Sequence, residues 1–359
     1  WTSRPQARSL ATPGARPAPQ LSTRMSGSAL PRKGGSSKNY LSALSLSAND
    51  GAAAEEPPKS SMLNALYKFT RPHTIRGTIL ASCACVTRVL LKTIESQPVI
   101  EWKLLQTAAY GLVALLCGNA YIVGINQIYD VDIDKVNKPF LPVAAGEISK
   151  PLAWALVGGT GVLGCAIVAT VFSPLICQLY LFGMFLGTVY TVPPFRWKNN
   201  PVLAAFSIAM VRGLLLNIGL HHAASTALGL AITWPAQVCF IAAFMTVFAV
   251  VIAIAKDLPD VEGDRKYGVT TLASSLGVAK AAHLVVLVLM ANYVMGVGVG
   301  LLAPGINNRP LMVVAHSALL GWLSIFASKL KPDSISSIKL FYRNIWKLFY
   351  AEYLLFPFI

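Results

Sequence analysis

The sequence predicts an all-α membrane protein with nine transmembrane helices around a central cavity. Of its 359 residues, 55% are hydrophobic and only 13% are charged, whereas soluble domains carry about 25% charged residues. The mean hydropathy of +0.58 agrees with this composition. The apolar residues are also gathered into runs of about 20, the length of a helix that spans a bilayer.

Residues 1–60 differ in kind from the rest of the chain. They are rich in Ser, Ala, Pro and Arg, and no acidic residue precedes Asp50. Such a composition cannot bury a core, and a basic, Ser-rich segment that is poor in acidic residues is typical of an organelle transit peptide. We therefore predict a disordered transit peptide at 1–60, with a plain disordered tail as the alternative, and a membrane domain at 61–359.

Nine runs of the membrane domain are long and apolar enough to be spanning helices. They cover 75–92, 104–125, 152–172, 175–192, 202–222, 235–255, 281–303, 310–328 and 340–359. Loops after even-numbered spans hold most of the Lys and Arg residues, so this side is predicted to face the compartment from which the helices inserted. The tail and these loops account for the net charge of +15, and we predict no nucleic-acid partner.

Two acidic clusters follow directly on apolar runs, and the span count places both on the same side of the membrane. A carboxylate at mid-bilayer costs roughly 2.5–3.5 kcal/mol, so such clusters are expected at helix ends that meet water or a polar cavity. Helical spacing puts each cluster on one stripe, made of Asn126, Asp130 and Asp134 in the first and of Asp257, Asp260 and Asp264 in the second. The two stripes are predicted to line one pocket.

The chemistry of the clusters favours Mg²⁺. Asp130, Asp132 and Asp134 resemble the start of a calcium loop, but the Gly and Glu that such a loop needs are replaced by Lys135 and Leu141. Zinc is disfavoured because neither cluster contains His or Cys. Mg²⁺ takes carboxylates together with phosphate oxygens of a substrate. The predicted Mg²⁺ ligands are Asp130, Asp134, Asp257, Asp260 and Asp264.

Basic and aromatic side chains on the same side are candidates for binding a diphosphate or its organic group. Those in loops are Lys138, Arg196, Lys198, Lys256, Arg265 and Lys266, each of which can also be an ordinary loop charge. Arg76 lies at the first span and Arg212 within the fifth. Arg212 is expected to face the bundle interior, where it either pairs with an acid or binds a substrate anion. Tyr190 ends the fourth span and is either an interfacial anchor or an aromatic face that stabilises a cation.

A pocket that holds Mg²⁺ and diphosphate inside a membrane domain indicates an isoprenyl diphosphate substrate. Loss of diphosphate leaves an allylic cation, and an electron-rich aromatic ring then attacks it while water is excluded. A different class, a transporter that uses the acids as cation sites, remains as an alternative. It is disfavoured because transporters bind near the bilayer midplane and often have inverted repeats, and none is evident in the sequence.

The motifs Asn126-Gln127-x-x-Asp130-x-x-x-Asp134 and Lys256-Asp257-x-x-Asp260-x-x-Gly263-Asp264 resemble those of the UbiA-type membrane prenyltransferases, and the resemblance covers 61–359. It implies a nine-span helical bundle. It also implies that Asn126, Asp130, Asp134, Asp260 and Asp264 bind Mg²⁺ and diphosphate, that Asp257 is the extra acid of the plant group, and that Tyr190, Arg196 and Lys198 form a third motif near the substrates.

Segments 71–78, 137–142 and 350–357 resemble plant and algal homogentisate prenyltransferases, above all those that transfer a solanesyl chain. The resemblance implies that homogentisate and solanesyl diphosphate give methyl-solanesyl-benzoquinol, CO₂ and diphosphate, on the way to plastoquinone. It also implies a chloroplast membrane, the inner envelope. The alternative within the family is a phytyl or geranylgeranyl transferase of tocopherol synthesis.

Overall fold

The computed structural model describes residues 61–94 and 102–359, and this part of the chain consists of helices and loops without a strand. The all-α prediction is confirmed. The transit peptide predicted at 1–60 lies outside the described residues.

The helices are numbered here in chain order. They are α1 Met62–Phe69, α2 Pro72–Ile94, α3 Trp102–Tyr129, α4 Val131–Asn137, α5 Lys150–Val171, α6 Pro174–Thr191, α7 Pro201–Ala227, α8 Ala236–Ala255, α9 Val261–Lys266, α10 Leu272–Leu276, α11 Val278–Leu302, α12 Arg309–Ser328 and α13 Ile335–Leu355. By length and composition, eight segments within the described ranges can cross a membrane, with α8 and α9 counted as one.

By length and composition, the described residues contain one apolar spanning helix fewer than the nine predicted, and the difference lies at the last span. The run predicted at 340–359 corresponds to α13, which is long enough but carries Lys339, Arg343, Lys347 and Glu352. These charges keep α13 outside the set of eight apolar helices. The helix instead buries an aromatic and aliphatic face against the rest of the bundle.

Helix starts follow local sequence signals, and one of them positions a site residue. The Oδ1 atom of Asn200 accepts hydrogen bonds from the backbone N–H groups of Val202 and Leu203 at 2.9 and 3.1 Å. Pro201 occupies the first turn of α7, where its missing N–H costs nothing. This cap ends the turn Trp197–Asn199 and fixes where Lys198 lies relative to α7.

The core is centred on α8. Phe244, Met245 and Phe248 on this helix are completely buried. The four glycines of the third predicted span divide into two pairs. A Cβ atom on Gly161 or Gly164 would lie 2.9 Å from Tyr121 or 2.1 Å from Tyr180, whereas the other two glycines, at 158 and 159, have open space beside them. Close packing through small residues is thus confined to one face of α5.

Candidate active site

One cavity of about 1010 Å³ opens where the two acidic clusters lie, so the structure brings both stripes to one place as the span count predicts. All five carboxylates line it, and each of these residues is only 4–8% exposed. The other predicted site residues on the cavity wall are Asn126, Lys138, Tyr190, Lys198, Arg212 and Lys256. Their roles in binding remain predictions.

The first cluster lies where α3 passes into α4. The backbone N–H of Asp130 bonds the Asn126 carbonyl at 3.0 Å, and that of Asp134 bonds the Asp130 carbonyl at 2.7 Å. Helical hydrogen bonding therefore continues across the break and keeps the three side chains on the cavity side. The Nδ2 atom of Asn126 donates to Asp130 at 2.6 Å, and its Oδ1 atom accepts from Arg71, also at 2.6 Å.

Two cations from the loop between α6 and α7 neutralise Asp130. Lys198 forms an ion pair with its carboxylate, and an Arg196 Nη atom lies 3.3 Å from the same oxygen. Burial lowers the pKa of the Lys198 ammonium, and Asp130 opposes that effect. Arg196 has φ of 36°, in the left-handed region that costs a non-glycine residue about 1–2 kcal/mol. It does not line the cavity and reaches the site through Asp130.

The second cluster begins where α8 ends. The Pro259-containing turn Leu258–Asp260 follows, and α9 continues from it. The Nζ atom of Lys256 lies 2.5 Å from the Asp257 carboxylate and 6.0 Å from the centroid of the Tyr190 ring. Asp260 pairs with Lys138, so the two acids that precede α9, Asp257 and Asp260, each form an ion pair with a different lysine.

Direct contacts join the two clusters. Lys138, which follows the first cluster, forms its ion pair with Asp260 of the second. Burial is the largest single effect on the Lys138 ammonium and lowers its pKa, but the charge and hydrogen bond of Asp260 together with the charge of Asp134 raise the pKa of Lys138 above its ordinary value. The Nδ2 atom of Asn137 donates to Asp264 at 3.2 Å, and its Oδ1 atom accepts from the backbone N–H of Gly263 at 3.1 Å. These five residues are called the clasp below.

The clasp requires glycine at 263. A Cβ atom there would lie 2.1 Å from Asn137 Oδ1 and 2.6 Å from its Cγ. Asn137 begins the family-like segment 137–142, but the sequence assigns it no role, because its importance comes from a contact between residues 126 positions apart.

Two predicted binding residues lie away from the cavity. Arg76 is exposed, does not line it, and donates instead to the Tyr67 hydroxyl at 3.2 Å. Arg265 is exposed on the outer side of α9 and donates to the Ser274 carbonyl at 3.2 Å. The structure therefore does not bring these two arginines to the cavity wall, and their assignment to substrate binding stays a prediction. The arginine that does line the cavity near the first cluster is Arg71, with φ of 53° directly before α2.

The acidic residues fit Mg²⁺ in donor chemistry. The Oδ2 atom of Asp134 is buried and has no hydrogen-bond partner, so it is available to a cation. Burial raises the pKa of this carboxyl, and Arg71 and Lys138 oppose the effect. Within the described residues, no three His, Cys, Asp or Glu side chains enclose a metal position on their own. Mg²⁺ takes one or two carboxylates and completes its coordination with water and substrate oxygens.

Beyond the acidic end, the cavity continues as an apolar branch between α3, α5, α6 and α7. Its walls include Leu115, Ile122, Val168, Phe172, Leu179 and Leu215. Along α3 the lining extends from Asn126 to Gly111, which is about 22 Å at 1.5 Å per residue. A Cβ atom on Gly219 would meet nothing within 4 Å, so the branch has unfilled space beside this residue.

Comparisons with known proteins agree with this geometry. A model of the UbiA prenyltransferase family matches residues 86–348. The chain is 52% identical over 318 residues to the probable homogentisate phytyltransferase 2, chloroplastic, of Oryza sativa subsp. japonica, covering 86% of this chain and 82% of that protein. It is 48% identical over 315 residues to the homogentisate solanesyltransferase, chloroplastic, of Arabidopsis thaliana, covering 86% and 81%.

Among solved structures, a UbiA homolog from Archaeoglobus fulgidus bound to GPP and Mg²⁺ is similar, with a TM-score of 0.57 and 21% sequence identity. The match covers 82% of this chain and 100% of that one. At this identity the likeness concerns the fold.

Proposed function

Because the chain belongs to the UbiA prenyltransferase family, we propose that it transfers a prenyl group from its diphosphate to homogentisate in a chloroplast membrane. The observation that carries the proposal is the cavity, in which buried carboxylates and lysines lie at the head of a long apolar branch. The acceptor and the compartment are supported by the names of the rice and Arabidopsis relatives.

The proposed reaction balances without a further reactant. A bond forms between a ring carbon of homogentisate and C1 of the prenyl group, while the C1–O bond to diphosphate breaks. The ring loses a proton, the side-chain carboxylate leaves as CO₂, and the remaining carbon takes up a proton to become the methyl group. The products are a methyl-prenyl-benzoquinol, CO₂ and diphosphate.

The acidic end of the cavity would hold the donor's diphosphate. Asp130, Asp134, Asp257, Asp260 and Asp264 are the residues that would hold Mg²⁺. When bound, Mg²⁺ neutralises charge on the diphosphate and makes it a better leaving group. The ammonium groups of Lys138, Lys198 and Lys256 already face these acids, and they are close enough to donate to phosphate oxygens as well.

The walls next to the acidic end would protect the reactive carbon. Tyr190 lies on the cavity wall beside Lys256, and its ring face can stabilise positive charge that develops on the prenyl group. The apolar residues beyond it exclude water, which would otherwise capture the cation as an alcohol.

The proposed donor is solanesyl diphosphate. Support comes from 48% identity to the Arabidopsis solanesyltransferase. A phytyl or geranylgeranyl donor is the second candidate, which the 52% identity to the rice protein favours. A transporter has no support from the family to which the chain belongs.

A donor competition tests the proposal. Purified protein in lipid receives homogentisate, Mg²⁺ and equal concentrations of geranylgeranyl, phytyl and solanesyl diphosphate, and the products are weighed by mass spectrometry. We expect methyl-solanesyl-benzoquinol to dominate and to be absent without Mg²⁺. Products from the shorter donors alone would overturn the solanesyl assignment, and the absence of any prenylated quinol would overturn the acceptor.

We further propose that residues 1–60 direct the protein to the chloroplast and that it resides in the inner envelope. The basic, Ser-rich composition of this segment supports the proposal. A fluorescent protein fused behind residues 1–60 should enter isolated chloroplasts, and its exclusion from them would contradict the proposal.

A further inference from the structure

On one side of the cavity, α7 departs from ordinary helical geometry. The segment Ala209–Leu215 forms a π-helix, and Arg212 within it lines the cavity. Such wide turns are rare and are frequently found at functional sites.

Contacts on the other side of α7 keep this turn in place. A Cβ atom on Gly213 would lie 2.3 Å from the Cα atom of Thr246, so α7 and α8 touch at their backbones there. The Nδ2 atom of Asn217 donates to the Gly213 carbonyl at 2.6 Å, and the Tyr353 hydroxyl donates to Asn217 at 3.2 Å. These contacts fix the segment that carries Arg212.

Aromatic side chains surround Arg212. Its guanidinium carbon lies 5.8 Å from the centroid of the Trp346 ring. The Trp346 ring also contacts His73 at 5.1 Å and Tyr342 at 6.4 Å between centroids. His73, Arg212, Tyr342 and Trp346 all line the cavity, and together they are called the aromatic lobe below.

The aromatic lobe has a positive charge without an anion. Within the described part of the chain, no carboxylate forms an ion pair with Arg212, whereas Asp130, Asp257 and Asp260 pair with lysines. A charge in the interior of a membrane bundle is costly unless it has a partner. The indole Nε1 of Trp346 is also buried and has no hydrogen bond of ordinary geometry.

We propose that the aromatic lobe is the acceptor site, where Arg212 binds the carboxylate of an aromatic acid and Trp346 packs against its ring. The inference rests on the proposed function and names the residues that select its second substrate. Flat aromatic walls suit a ring better than a diphosphate, for which the acids and lysines already form a separate place. The lobe also keeps the acceptor's negative charge on an arginine that no carboxylate neutralises.

Binding of two matched ligands tests the proposal. Thermal unfolding in lipid nanodiscs is followed against the concentration of homogentisate or of its neutral amide, 2,5-dihydroxyphenylacetamide. Loss of a charge-assisted hydrogen bond predicts that Arg212→Gln weakens homogentisate binding roughly 10- to 100-fold and leaves amide binding and the KM for prenyl diphosphate unchanged. Arg212→Lys should fall between, since a lysine lacks the forked geometry. Arg309→Gln, at an exposed arginine outside the cavity that donates to the Ala303 carbonyl at 2.9 Å, is the matched control and should behave as wild type.

An equal loss of affinity for homogentisate and for its amide in Arg212→Gln would overturn the proposal. So would a raised KM for prenyl diphosphate with unchanged homogentisate binding. A measurement on the wild-type protein covers the case in which the variants do not fold. Homogentisate should protect Arg212 from phenylglyoxal, as read by peptide mass mapping, more strongly than the amide does. Equal protection by the two ligands would also overturn it.

The outcome is separable from that of the proposed function. Homogentisate binding that depends on Arg212 without any prenylated product would leave the aromatic lobe standing and refute the reaction. If Arg212→Gln still forms product and still prefers homogentisate over its amide as strongly as wild type, the reaction stands and the aromatic lobe is refuted.

Discussion

Gly263→Ala tests whether the two acidic clusters act as one site. The added methyl group would lie 2.1 Å from Asn137 Oδ1, so the Asn137 side chain must turn away and lose both of its clasp hydrogen bonds. The bond to the Gly263 N–H contributes about 1 kcal/mol and the bond to the Asp264 carboxylate about 1.5–3 kcal/mol. Alanine in a helix returns up to about 1 kcal/mol. We therefore expect Gly263→Ala to lose a net interaction free energy of about 2 kcal/mol between the two clusters.

The assay is kcat/KM for prenyl transfer together with the thermal midpoint in lipid. If the whole loss falls on the bound state, kcat/KM drops roughly 30-fold. Gly158→Ala is the matched control, because a Cβ atom there meets nothing within 4 Å. Asn137→Ala removes the same bonds, so the double variant should be no worse than either single one. A Gly263→Ala enzyme as active as Gly158→Ala, or additive losses in the double variant, would refute the clasp.

Three further outcomes are expected. Lys198→Met removes the buried ammonium that pairs with Asp130, while a neighbouring arginine still contacts that carboxylate at 3.3 Å. The free energy of unfolding of the ligand-free protein should therefore fall by about 1–3 kcal/mol, less than the roughly 3–5 kcal/mol lost when a buried ion pair is fully broken. A thermal midpoint equal to wild type would contradict this pairing. Gly219→Phe fills the apolar branch and should shift donor competition towards shorter prenyl chains, whereas Gly298→Phe, outside the cavity, should not; an unchanged donor preference in Gly219→Phe would exclude the branch as the tail site. Asp130→Asn should lose most Mg²⁺-dependent transfer, while Asp132→Asn, whose carboxylate is 75% exposed and paired with a surface lysine, should keep it; equal activities would remove Asp130 from the site.

The sequence predicts the placement of the acidic clusters because that placement depends on local rules. Helical spacing puts Asp130 and Asp134 on one stripe, and an even number of spans between the clusters returns the chain to the same side. Neither step requires knowledge of which helices touch. The five carboxylates, three lysines and Tyr190 were therefore predictable as neighbours of one cavity.

The arginines show where such reasoning stops. Arg71 and Arg76 both lie near the start of the first span, and only Arg71, which has a left-handed backbone, lines the cavity. The π-helical turn at Arg212 depends on the approach of Gly213 to Thr246, a contact between helices that no local pattern encodes. The charges of α13 were visible in the sequence, but its apolar face outweighed them in the prediction of a ninth span.

The most direct test of the central claim is the affinity for an unreactive prenyl thiolodiphosphate, measured by calorimetry in nanodiscs with and without Mg²⁺. If both clusters hold one diphosphate, Asp130→Asn and Asp260→Asn should each weaken Mg²⁺-dependent binding more than tenfold and have little effect without Mg²⁺. Wild-type affinity in either variant would show that its cluster does not contribute to the donor site, and the account of a shared site would be wrong.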